Sequence, residues 1–177
     1  MKNKFQFLTK VLLGVIIAFV QNPAYGVELG MKLKSLKVTT DSGKVDLISS
    51  APAKIYVFNF WATWCEACKI ELKEMDAMFA PIAANKSVKM AFVSLDKDIA
   101  DAKAWASLNL KGSLVRNRLF YDPEFRLAEE LEIDAFPMTI VLDSKDGILY
   151  IQRGFKEGER STEKILEIIN KKLETIP

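Results

Sequence analysis

Residues 55–68 read IYVFNFWATWCEAC, and this stretch decides the fold. Ile55 to Trp61 is nearly continuous in apolar, aromatic and β-branched side chains, the pattern of a central strand covered by helices on both faces. Beyond the cysteines, Ile70, Leu72, Met75, Met78, Phe79 and Ile82 recur at helical spacing with Glu and Lys between them, up to about Ala84. Pro81 is expected to kink or end that helix. The two methionines read as core filling, not as metal ligands. A buried strand therefore runs into a helix, and Cys65 and Cys68 sit at the junction.

Working outward, Met31–Val38 and Val45–Ile48 flank Asp41-Ser42-Gly43 and predict an opening hairpin. Downstream, Val88–Leu95 predicts a strand, Ile99–Leu108 a helix around Trp105, Arg118–Asp122 a short strand and Phe125–Leu131 a helix. This alternation is that of βαβ units. Met138–Leu142 and Ile148–Arg153, joined across 144–147, predict an antiparallel pair. Ser161 or Thr162 is expected to cap a last amphipathic helix carrying Ile165, Ile168, Ile169 and Leu173. No internal repeat, low-complexity stretch or second-domain linker is visible.

The chain has 177 residues, 50% of them hydrophobic, with two Cys and no His. One domain of that size buries a core without a disulfide or metal, so the cysteines are free for chemistry. Lack of His removes the imidazole base, the commonest metal ligand and the Cys-His and Ser-His pairings. Met1–Lys10 carries Lys2, Lys4 and Lys10 and no acid, Val11–Val20 is apolar throughout, and Ala24-Tyr25-Gly26 is a small-x-small triplet. Residues 1–26 therefore read as a signal peptide cleaved after Gly26, or as an uncleaved anchor, although the run is short of the roughly 20 residues that span a bilayer. No Cys follows the run as a lipid acceptor. These residues hold 3 of the 25 basic side chains and none of the 23 acidic ones, so residues 27–177, the expected domain, are near neutral. Neither nucleic acid nor an acidic surface is expected as a partner.

At the start of a helix a thiol meets unpaired N–H groups and the positive end of the dipole, which favour thiolate. Cys65 is thus the expected attacker, and Cys68, one turn on, the resolving thiol. Lys69 favours the Cys65 thiolate slightly and Glu66 opposes it. Other readings of Cys-x-x-Cys fare worse. A zinc site lacks two ligands, covalent haem attachment needs His where Lys69 stands, and a structural disulfide across so short a loop gains little.

The run Val57–Cys68, followed by Glu71 and later by Phe136-Pro137-Met138-Thr139-Ile140-Val141-Leu142-Asp143, resembles the exported thioredoxin-like proteins of the TlpA/ResA type over roughly residues 30–173. The resemblance implies an α/β thioredoxin fold with an N-terminal β-hairpin and a helical insertion in the central region, expected at 96–110. It implies catalytic Cys65 and Cys68 forming a redox-active disulfide, with Pro137 as a cis-proline and Phe136 beside it forming the substrate groove. Trp64, Glu66 and Glu71 are the expected modulators. Trp61 reads better as core.

Asn59 stands where classical thioredoxins carry a buried acid and cannot exchange a proton near neutral pH. Glu71 matches the family's Glu after the motif, with a solvated helix-face role an equal alternative, and Asp96 and Asp98 are further candidates. Ala67 and Lys73 replace family prolines, which bears on loop rigidity and reduction potential.

The expected activity is thiol-disulfide exchange at the periplasm or the outer face of the cytoplasmic membrane, without cofactor or metal. Its expected direction is reduction of disulfides in exported proteins, such as apocytochrome c or other metalloprotein cysteines. The expected partners are those proteins and a membrane thiol donor of the DsbD or CcdA kind, with membrane anchoring if the leader stays uncleaved. The rivals are an oxidase or isomerase of secreted proteins and a non-catalytic binding module. A thiol peroxidase and a Sco-like copper carrier lack their motif and their His.

Overall fold

The computed structural model describes residues 26–175 except Ala51, Ser113 and Asp146. In chain order these form β1 (Lys37–Thr40), β2 (Gly43–Asp46), β3 (Ile55–Trp61), α1 (Glu66–Met78), α2 (Ala80–Ala83), β4 (Val88–Ser94) and α3 (Ile99–Asn109). There follow a 3-10 turn at Arg116–Arg118, β5 (Leu119–Tyr121), α4 (Arg126–Glu130), β6 (Met138–Asp143), β7 (Gly147–Arg153) and α5 (Ser161–Glu174). Residues 1–25 lie outside the described set, and with them nearly all of the expected leader. No helix among the described residues is long and apolar enough to cross a membrane.

One seven-stranded sheet, ordered β2-β1-β5-β4-β3-β6-β7, carries the molecule. β3 pairs parallel to β4 and antiparallel to β6, and all seven of its residues are buried. Its side chains alternate between two cores. Ile55, Val57 and Trp61 face α1, α3 and α5, whereas Tyr56, Phe58 and Phe60 face the hairpin and α4. Each large side chain so buried contributes roughly 1.5–3 kcal/mol. Parallel β3-α1-β4 and β4-α3-β5 units confirm the alternation read from sequence, and β6 and β7 form the expected antiparallel pair. Met75 is fully buried, with Met78 packed against the same core. The fold is the expected thioredoxin-like α/β arrangement. The segment 96–110 holds helix α3, as expected, and strand β5 after it bridges the central strands to the hairpin.

Three boundaries differ from expectation. The hairpin is shorter, because Asp46 Oδ1 accepts from Leu36 N and Ile48 N at 3.0 Å, taking those groups out of the strand ladder. Met31 is not in it at all: Gly30 and Met31 bond along the outer side of β7, Gly30 N to Ile148 O and Ile148 N to Met31 O. That contact shields the start of a sheet edge. It also fixes Gly147, whose φ is 89° and where a Cβ would lie 2.5 Å from the Gly30 carbonyl oxygen. Finally, neither Ser161 nor Thr162 caps α5. Arg160 holds the cap position without a side-chain bond, and Thr162 Oγ1 instead donates to Glu74 Oε2 at 2.8 Å, tying α5 to α1.

Candidate functional site

Cys65 and Cys68 are joined in a disulfide at the N-terminus of α1, with Cα atoms 5.3 Å apart. Cys65 is the helix N-cap, its Sγ accepting from Cys68 N at 3.1 Å. It is 9% exposed, while Cys68 is fully buried. A soluble disulfide can therefore reach Cys65 and not Cys68. The loop before them is pinned by Asp96, buried at the end of β4, which accepts from Thr63 N at 3.1 Å, Thr63 Oγ1 at 2.6 Å and Ser94 Oγ at 2.8 Å. Asp98 stands apart from this cluster as the cap of α3, accepting from Ala100 N.

Trp64 is 59% exposed and meets Phe136 edge-on at 5.4 Å, making an aromatic ledge at the dithiol. The Phe136–Pro137 peptide bond is cis. Trp61 is wholly buried and packs against Trp105 at 5.3 Å, a core role. Glu66 and Lys69 pair with each other at the surface. Lys73 is exposed, and α1 runs through it without a break.

Glu71 departs most from its reading. The solvated helix-face role is wrong: Glu71 is fully buried, one turn beyond Cys68 on α1, because that helix turns this position toward the sheet. Asn59 Nδ2 donates to Glu71 Oε2 at 2.7 Å, and Gln152 Nε2 donates to Oε1. Burial outweighs those donors and, helped by the charge of Glu74, raises its pKa from 4.5 to about 7. Asn59, which cannot itself take a proton, thus holds a group that can.

Of the rest of this pocket, Asn59 was singled out from sequence, and Thr139 and Gln152 were given no role there. Asn59, Thr139 and Gln152 are register partners across β3, β6 and β7, forming one polar row beneath Glu71. Each is the lone amide or aliphatic hydroxyl in a strand otherwise rich in apolar and aromatic residues, and that was the available signal. Pairing register, which aligns them, was not readable. Among the described residues no group of His, Cys, Asp and Glu could hold a metal ion.

Residues 28–167 match the redoxin family. The thioredoxin-like protein YneN of Bacillus subtilis is 24% identical over 142 residues, covering 79% of this chain and 80% of that protein. The thiol-disulfide oxidoreductase ResA of Oceanobacillus iheyensis is 33% identical over 107 residues, covering 54% of this chain and 55% of its own length. Among solved structures, the thiol:disulfide interchange protein DsbE of Chlorobium tepidum superposes with a TM-score of 0.69 at 21% identity, over 82% of this chain and 97% of that one.

Proposed function

This chain belongs to the redoxin family, in its TlpA/ResA-like thioredoxin-fold branch, and is a thiol-disulfide oxidoreductase with a Cys65–Cys68 pair; on that premise we propose that it runs as a reductant outside the cytoplasm. The observation that carries dithiol exchange at this pair is the shielded Cys68 with a buried carboxyl one turn on along α1 whose pKa is raised to about 7; the reducing direction rests on the resemblance to the exported TlpA/ResA-type proteins.

In the reduced protein the Cys65 thiolate, favoured by the helix N-terminus, attacks one sulfur of a substrate disulfide. A mixed disulfide forms and the first substrate sulfur leaves as a thiolate. Cys68 then passes its proton to Glu71 and attacks the Cys65 sulfur, closing the Cys65–Cys68 disulfide and expelling the second substrate thiolate. Two electrons have moved from the dithiol to the substrate. Water supplies the substrate's protons, and Glu71 returns its own to solvent before the next cycle. The aromatic ledge of Trp64 and Phe136 supports an extended apolar segment of the client against the dithiol.

Exported proteins, among them apocytochrome c and other metalloproteins, fit as clients, and the expected leader supports a shared location outside the cytoplasm. Recharging then falls to a membrane thiol donor of the DsbD or CcdA kind. The test equilibrates the chain in graded thiol-disulfide buffers and traps free thiols by alkylation. A midpoint at or below about −230 mV supports a reductant, and one near about −120 mV replaces it with an oxidase. Cys65→Ser abolishes disulfide reduction, whereas Cys68→Ser accumulates the mixed disulfide; normal turnover by either variant refutes the dithiol mechanism.

A further inference from the structure

Two buried carbonyl oxygens in this pocket, Asn59 Oδ1 and Gln152 Oε1, have no hydrogen-bond partner. A buried acceptor left unpaired is costly, and here two flank one carboxyl group. The cause is the direction both amides face. Each turns its NH2 toward Glu71, as an ionised carboxylate requires, because it can only accept. Once Glu71 takes a proton its hydroxyl needs an acceptor, and an amide turned over by half a revolution supplies one.

The second hydrogen of each NH2 decides which amide can turn. Gln152 Nε2 also donates to the Gly154 carbonyl at 3.1 Å. A carbonyl can only accept, so turning Gln152 would set two oxygens against each other. Asn59 Nδ2 also donates to Thr139 Oγ1, at 2.9 Å. A hydroxyl accepts or donates by rotating its hydrogen, so Thr139 can serve Asn59 in either orientation. We propose that these are positioning residues for the exchange reaction: Gln152 is a fixed donor to Glu71, and Asn59 with Thr139 is a reversible pair that turns over when Glu71 takes the proton of Cys68.

The pair offers each protonation state of the carboxyl a matching partner, at the cost that the turned NH2 takes the partnerless place of Oδ1. The titratable neighbours of Glu71 are Cys68 and Glu74, both on α1. From β3, β6 and β7 the pocket receives the neutral side chains of Asn59, Thr139 and Gln152, and from α5 Thr162 bonds Glu74. The inference rests on Glu71 being the acceptor for Cys68.

Two measurements on the full chain test it. The reduced protein is mixed with 5,5′-dithiobis(2-nitrobenzoate), and the second nitrothiobenzoate release, which reports attack by Cys68, is timed against pH. Wild type shows an inflection near neutrality. Gln152→Leu moves it upward by about one pH unit, because losing a donor favours the protonated acid. An unmoved inflection overturns the role of Gln152. Glu71→Gln separates the two ideas: if its profile matches wild type, the acceptor reading itself fails, and if the inflection vanishes while Gln152→Leu leaves its own in place, only the amide proposal fails. The second measurement needs no variant. In NMR spectra of the oxidised wild type, lowering pH through the inflection weakens the through-space contact between the Asn59 amide hydrogens and the Thr139 methyl, while Gln152 holds its orientation. An Asn59 contact that persists, or a Gln152 amide that turns, overturns the proposal.

Discussion

Two buried carboxylates sit on either side of the dithiol, and the fold treats them in opposite ways. Asp96 takes hydrogen bonds from a backbone N–H and two hydroxyls, and so fastens the Thr63 loop to the end of β4. Glu71 takes its bonds from two side-chain amides and is left with a proton affinity near neutrality. Main-chain donors are fixed by the fold and hold a carboxylate as a fastener, whereas an amide whose second partner is a hydroxyl, as Asn59 has in Thr139, can be re-aimed. It is burial, acting against those amide bonds, that brings Glu71 near neutrality. Asp76, Asp122 and Asp143 follow the Asp96 pattern, each accepting from a backbone N–H: Val115, Leu127 with Ala128, and Lys145.

Substitution should separate the two kinds. Asp96→Ala strands the Thr63 N–H and should cost about 4 kcal/mol in urea unfolding, from the loss of charged bonds to two residues. A loss below about 1 kcal/mol would show that the fastening role is wrong. For Glu71, a folded-state pKa above that of the unfolded chain means the native state holds the extra proton between about pH 4.5 and 7. Its contribution is therefore full below that window and fades as pH rises through it. Glu71→Gln removes the effect, so the stability of the variant relative to wild type should grow by about 3 kcal/mol from about pH 4 to pH 8. A constant difference would mean that Glu71 is ionised across that whole range.

The smallest effect is expected at Asp46. Burial pushes its pKa up, but bonds from Leu36, Ser35, Ile48 and Ser49 outweigh this and hold the carboxyl well below the usual carboxylate range. Its stabilisation is present above about pH 4 and lost as pH falls. Asp46→Asn should cost about 1 kcal/mol at neutral pH and nothing in strong acid. Persistence of the cost in acid would assign it to packing.

The parts of this molecule legible in the sequence are those with local signatures. Ile55–Trp61 declared itself a buried strand by its unbroken apolar run, and the α1 stripe from Leu72 to Phe79 gave the helix face. Cys65 and Cys68 were read from spacing. Glu71 matched a family position, but its burial depends on how α1 sits on the sheet, which no local pattern encodes. Gln152 and Thr139 lie 81 and 80 residues from the partners they join, Glu71 and Asn59, and only strand register brings them together. The hairpin was seen but misplaced, because the carboxylate of Asp46 competes with strand pairing for the Leu36 and Ile48 amides.

In the strand ladder that hairpin joins the rest of the sheet through a single register pair, Thr39 with Tyr121, beside the surface ion pairs Asp41–Lys103 and Lys44–Glu124 and the packing of Val38 and Val45 on the core. The seam between β1 and β5 is therefore the weakest join in the sheet, since β3 shares seven register pairs with β4 and six with β6. In hydrogen-deuterium exchange the β1 and β2 amides should open first, as a separate unit, while those of β3 exchange only when the whole domain unfolds. The dithiol and Glu71 stand on the slow-exchanging side of that seam, so the hairpin can breathe without disturbing the site.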